Sequence, residues 1–139
     1  MNMKIKDKIA VVGATGAVGE VMLSILADRG HKAENVTPLA SERSAGKEVE
    51  FGDGRLVAQN LAEFDFSGID YALFSAGGSV SEKYAPVAAA AGAIVIDNTS
   101  AFRYDDDIPL VVPEVNPHKL EGLGPGAIIA NPNCSTIQM

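Results

Sequence analysis

The chain has 139 residues, 47% hydrophobic and 21% charged, with 11 Lys+Arg against 18 Asp+Glu and a net charge of −7. That length suits one domain with its own core, and that composition excludes disordered, collagen-like and low-complexity chains. The acidic balance argues against nucleic acid as a partner, because a phosphate backbone calls for a basic surface, and a single cysteine excludes an internal disulfide and suits a reducing compartment.

Met1 to Lys8 alternates lysines with short apolar residues and has no signal-peptide apolar region. Ile9-Ala10-Val11-Val12 is a β-branched run ending at Gly13, which predicts a buried strand of a parallel sheet. Val18 to Arg29 follows as an amphipathic helix, with Val18, Val21, Met22, Ile25 and Leu26 on one face and Arg29-Gly30 closing it. Asn35 to Ala40 is a second strand. Glu48–Phe51 and Arg55–Ala58 flank Gly52-Asp53-Gly54 and predict a small hairpin or two short strands. Asp70 to Ser75 is a third sheet strand, and it stops at Ala76-Gly77-Gly78. Ser79 and Glu82 have capping-box spacing and open a helix that ends near Ala91-Gly92. Ala93 to Ile96, Leu110 to Val112 and Ala127 to Ala130 are further strands. Pro113 to Gly126 reads as loop with room for one helical turn, and residues 131–139 as a strand end, a tight turn and one helical turn. A single turn is costly to nucleate, so the sequence looks truncated there. The expected fold is α/β: a Rossmann-like, doubly wound, mostly parallel sheet with helices on both faces. The longest apolar stretch, Ala85 to Ile96, is interrupted by Pro86 and Gly92 and falls short of the roughly 20 residues of a membrane span. No membrane partner and a cytoplasmic location are expected.

Gly13-Ala14-Thr15-Gly16-Ala17-Val18-Gly19 lies between a strand and a helix, where glycines let a backbone approach a pyrophosphate. Its spacing is GxxGxxG rather than GxGxxG, so a bare strand-to-helix turn is the competing explanation. The second strand should end at the adenosine ribose. There Ser41-Glu42-Arg43-Ser44-Ala45-Gly46-Lys47 offers Glu42 for the 2′-hydroxyl of NAD, but Arg43, Ser44 and Lys47 for the 2′-phosphate of NADP; NADP is favoured over NAD and over an unliganded charged loop.

Cys134 opens the last helical turn after Pro132-Asn133. A helix N-terminus lowers a thiol's pKa and favours the thiolate nucleophile, and Asn133 could donate to an oxyanion; a plain buried cysteine is the alternative. A nucleotide fold plus a nucleophilic cysteine suggests aldehyde chemistry through a thioester. Arg103, just past a strand end, suits a phosphate or carboxylate, or an ion pair with Asp105-Asp106-Asp107. His31 and His118 are isolated, and no metal site is expected.

These motifs together resemble the N-terminal half of the aspartate-semialdehyde dehydrogenases. The resemblance runs through Val11–Gly19, Arg43–Lys47, Leu73–Gly78, Asp97–Arg103, Val111–Asn116 and Pro132–Thr136, nearly the whole chain. It implies NADP-dependent reductive dephosphorylation of L-aspartyl 4-phosphate to L-aspartate 4-semialdehyde, on the route to lysine, threonine and methionine. Cys134 would be the nucleophile, with Arg103 and Asn133 holding phosphate. Gly13, Thr15, Gly16, Ala17, Val18, Arg43, Ser44, Gly77 and Gly78 would hold NADP. Residues 1–133 would be the cofactor domain and 134–139 the start of a helix into an absent substrate and dimerisation domain. The parent would be a homodimer or higher homo-oligomer. The fragment alone is expected to bind NADP weakly or not at all and to turn over nothing. The alternatives are an N-acetyl-glutamyl-phosphate reductase-type enzyme and a non-catalytic NADP-binding module.

Overall fold

A computed structural model of the chain describes residues 6–98 and 126–130. The strands are β1 (Ile9–Val12), β2 (Val36–Ala40), β3 (Glu48–Phe51), β4 (Gly54–Val57), β5 (Gln59–Asn60), β6 (Tyr71–Phe74), β7 (Ile94–Asp97) and β8 (Ile128–Ala130); the helices are α1 (Ala17–Asp28) and α2 (Gly78–Ala90). Six strands form one sheet in the order β5-β2-β1-β6-β7-β8, and every pair in it is parallel. The remaining two, β3 and β4, make a separate antiparallel hairpin.

The central strands are apolar on both sides because both sides are covered. Ile9 and Val11 of β1 face a cluster with Leu23 and Leu26 of α1 and with Val49 and Phe51 of the hairpin. Ala10 and Val12 face the opposite cluster, with Phe66, Phe74 and Ala85 and Ala88 of α2. A strand's period of two thus supplies two cores, and the helices lie on both faces as expected. The polar pair Gln59–Asn60 forms a two-residue edge strand beside Leu39 and Ala40.

The apolar face of α1 differs from the one expected. Gly19, Leu23 and Leu26 are buried, whereas Val18, Val21 and Ile25 are 42%, 57% and 46% exposed. The helix is turned so that Gly19 lies against the preceding loop, where a Cβ would come within 2.1 Å of the Gly13 carbonyl oxygen. Close packing at that one residue outweighs the larger apolar count of the neighbouring stripe. At its end, Gly30 N–H donates to Ala27 O and His31 N–H to Leu26 O, the paired bonds of a Schellman cap. The capping box expected at Ser79 does not form either: α2 starts at Gly78, its cap residue is Gly77, and no side chain caps it.

The expected strand Leu110–Val112 and most of the loop Pro113–Gly126 lie outside the described residues, as do residues 131–139.

Candidate functional site

In an open α/β sheet, ligands gather at the carboxyl ends of the strands where the strand order reverses. Here that point lies between β1 and β6. Each of these strands runs into a glycine turn and then into a helix.

After β1 the chain turns at Gly13, whose φ is +90°. Its N–H and that of Ala14 both donate to Leu39 O, at 2.9 and 3.1 Å, which ties the turn to the end of β2. Gly16 N–H donates back to Gly13 O at 3.0 Å, and the first helical bond is Glu20 N–H to Gly16 O. Helix geometry therefore leaves the N–H groups of Ala17, Val18 and Gly19 without a helical acceptor. No side chain caps them either. Gly16, Ala17 and Val18 are exposed, and Thr15 is half-buried.

After β6, Ser75 N–H and Ser75 Oγ both reach Val12 O, at 2.9 and 3.1 Å. The second turn is thereby fixed to the end of β1. Gly77 has φ +102°, and a Cβ there would meet nothing within 4 Å, so this turn faces open space. The two turns touch: a Cβ on Gly13 would lie 2.9 Å from the Ala76 nitrogen and 3.0 Å from the Ser75 carbonyl carbon. The result is two adjoining helix starts, each with unused amides and a positive dipole end, aimed at one crevice. Such a place favours an anion.

The crevice has a volume of about 470 Å³, within the range of cofactor and small-molecule sites. Its walls are Gly13, Thr15 and Gly16 of the first turn, Ser75 and Ala76 of the second, and Ser41 and Glu42 past β2. Leu61, Ala62, Val80 and Tyr84 add an apolar end, with Asn60 beside it. Asn60 Oδ1 accepts from Ala62 N–H at 3.0 Å, which shapes that end. A larger cavity of about 670 Å³ lies between α1 and the hairpin. Its lining includes Glu20, Asp28, Glu48, Glu50 and Asp53, against Arg55, which pairs with Glu48 at 3.1 Å. Five carboxylates facing one neutralised guanidinium repel an anion, so size does not decide between the cavities.

Gly13, Thr15 and Gly16 line the crevice, Ala17 and Val18 begin the helix above it, and Gly77 and Gly78 continue from its second wall. Arg43 and Ser44 are not among the lining residues. They lie in a turn in which the N–H groups of Ser44 and Ala45 donate to Ser41 O at 2.9 and 2.8 Å. Arg43 is exposed, and no carboxylate among the described residues pairs with it. Arg103, Asn133 and Cys134 lie outside the described residues. Sequence reasoning gave Ser41 no role within the ribose segment and passed over Asn60, Leu61, Val80 and Tyr84. They are ordinary residues on three separate segments, and only the fold brings them together. Among the described residues no cluster of His, Cys, Asp and Glu could hold a metal, and no helix is long and apolar enough to cross a membrane.

Residues 8–123 match the family model described as semialdehyde dehydrogenase, NAD binding domain. The chain is 59% identical to an aspartate-semialdehyde dehydrogenase of Legionella pneumophila over 94% of its own length and 38% of that protein's. It superposes with a TM-score of 0.84 and 56% identity on aspartate semialdehyde dehydrogenase II of Vibrio cholerae complexed with ASA, covering 95% of this chain and 43% of that one. With aspartate semialdehyde dehydrogenase with NADP from Candida albicans the TM-score is 0.73 at 26% identity, over 94% of this chain and 44% of that one. The chain thus spans about two fifths of the length of the proteins it matches.

Proposed function

The chain belongs to the semialdehyde dehydrogenase family, as its NAD-binding domain, and on that premise we propose that it is the cofactor-binding part of an NADP-dependent aspartate-semialdehyde dehydrogenase. The reaction is the reductive dephosphorylation of L-aspartyl 4-phosphate to L-aspartate 4-semialdehyde, releasing phosphate. This reading serves lysine, threonine and methionine formation in the cytoplasm, with the parent a homodimer or larger. The observation that carries it is the pair of adjoining, uncapped helix starts, with Gly13 packed against Ala76 at the strand-order reversal.

The residues present fit a dinucleotide. A pyrophosphate would meet the Thr15–Val18 backbone and the start of α2, and the adenosine end the Ser41–Glu42 side beside Asn60 and Leu61. Arg43 and Ser44 supply the guanidinium and hydroxyl for a 2′-phosphate, which supports NADP over NAD. When bound, the nicotinamide exchanges a hydride with the substrate carbon. In the proposed chemistry the Cys134 thiolate attacks the acyl carbon and phosphate leaves with the electrons of the broken C–O bond, giving a thioester. Arg103 neutralises the phosphate and Asn133 positions the acyl oxygen. Residues 1–133 form the cofactor domain, and 134–139 begin the helix toward a substrate domain. Residues 1–139 alone turn over nothing.

The test is NADPH formation from semialdehyde, phosphate and NADP by the protein that carries this chain. Turnover should vanish in Cys134→Ser while NADP binding persists. Undiminished turnover in that variant overturns the cysteine role, and cofactor binding without turnover in the unaltered protein leaves a binding module instead.

A further inference from the structure

The crevice accounts for both glycine turns but leaves one buried polar contact without a role. Ser81 and Asp97 are both 0% exposed, and Ser81 Oγ donates to Asp97 Oδ1 at 2.8 Å. Withdrawing a carboxylate from water is unfavourable, and apolar residues in place of such a polar pair often give equal or greater stability. The contact is therefore poorly explained as a stabiliser.

What it supplies is direction. The sheet-facing stripe of α2 is Ser81, Ala85 and Ala88, all buried. Methyl-sized side chains raise only shallow ridges, so packing alone sets the helix's position along the sheet weakly. A hydrogen bond is confined to a narrow range of length and angle. This one joins the first turn of α2, next to Gly77 and Gly78, to the last residue of β7. One residue on, Asn98 N–H donates to Phe74 O at 2.9 Å, so the end of β7 is itself held to β6.

The adenosine half of a dinucleotide lies over the β2 side of the reversal point, and the nicotinamide half over β6, β7 and β8. The start of α2 and the end of β7 both belong to the second half. We propose that the Ser81–Asp97 bond is a peg that fixes the glycine end of α2 along the sheet, making Ser81 and Asp97 positioning residues for the nicotinamide half of the cofactor. This rests on the dinucleotide reading above and adds to it which half depends on the peg.

The experiment compares two probes, NADP and 2′,5′-ADP, on the protein that carries this chain; 2′,5′-ADP occupies the adenosine side alone. Binding of both probes by the unaltered protein is the reference, and failure there defeats the dinucleotide reading rather than the peg. Ser81→Ala should raise the Kd for NADP about tenfold, the effect of losing one such bond, while the Kd for 2′,5′-ADP stays within about twofold. Asp97→Asn, with Ser81 intact, keeps an acceptor for the hydroxyl and should leave the Kd for NADP within about threefold of the unaltered protein. If Ser81→Ala does not fold, the nearly isosteric Ser81→Cys, with its weaker donor, should show the same NADP-only loss at smaller size. Equal loss for both probes, or no loss for either, overturns the proposal.

Discussion

Replacing Gly19 by alanine sets two effects of opposite sign against each other. Gly19 lies inside α1, where alanine is favoured over glycine by about 1 kcal/mol. On propensity alone the variant would be more stable. The packing says otherwise. A Cβ at Gly19 would lie 2.1 Å from Gly13 O, 2.7 Å from Ala14 Cα and 2.8 Å from the Gly13 carbonyl carbon. All three are backbone atoms, so no flexible side chain can give way. The turn they belong to is held by its bonds to Leu39 O. Relief requires the helix or the turn to shift by about an ångström, and overpacking of this kind costs about 1–3 kcal/mol, sometimes more. The net expectation for Gly19→Ala is a destabilisation of about 1 kcal/mol, with at least a tenfold loss of NADP affinity as the turn moves. Urea unfolding of the chain reads the first as a lower midpoint at unchanged slope. Calorimetric titration of the parent protein reads the second. A variant as stable as the unaltered chain, or more so, with intact NADP binding would refute the close-packed turn.

Gly16→Ala separates fold from ligand, because Gly16 has φ −88° and a Cβ there meets only Gly13 O, at an ordinary 3.5 Å. Stability should change by less than about 1 kcal/mol while NADP affinity falls tenfold or more, read by the same two methods. Arg43→Ala should weaken NADP about tenfold and leave NAD within about twofold, and equal effects on the two would remove Arg43 from phosphate recognition. Tyr71 has its pKa raised above 10.0 by burial first and by Asp7 and Asp70 next. The folded chain therefore holds the phenolic proton more tightly than the unfolded one. That contribution is fully present below about pH 10 and is lost as pH rises through the raised pKa. Thermal melts of Tyr71→Phe should show a shallower alkaline decline, and an unchanged decline would contradict the assignment.

The sequence was most informative where one residue type had one structural use. The apolar runs at β1, β6 and β7 could only be buried strands, and the turns at Gly13 and Gly77 needed residues with positive φ. It failed where the outcome depended on contacts between distant segments. The face of α1 was read correctly at Met22 and Leu26 but not at Val18, Val21 and Ile25, which outnumber the small residue that packs on the loop. Ser79 and Glu82 had the spacing of a capping box, yet the helix begins at Gly78, and the expected cap bonds are replaced by open amides. The two-residue β5 carries no apolar pattern to find. Tyr84 and Leu61 belong to no motif, and only the order of the strands makes them the end of a crevice. Arg103, Asn133 and Cys134 rest on motif alone, since they lie outside the described residues.

The parallel order of the sheet also governs when the crevice comes into being. β1 meets β2 across a single helix, but its other neighbour is β6, where Ile9 pairs with Tyr71 about 60 residues on. Closing that distance costs more chain entropy than closing the β1–β2 pair, so the β1–β6 seam is the more expensive of the two to form. Both glycine turns meet across that seam. A chain without that seam has no crevice, so a bound dinucleotide stabilises only the molecule in which the seam has closed.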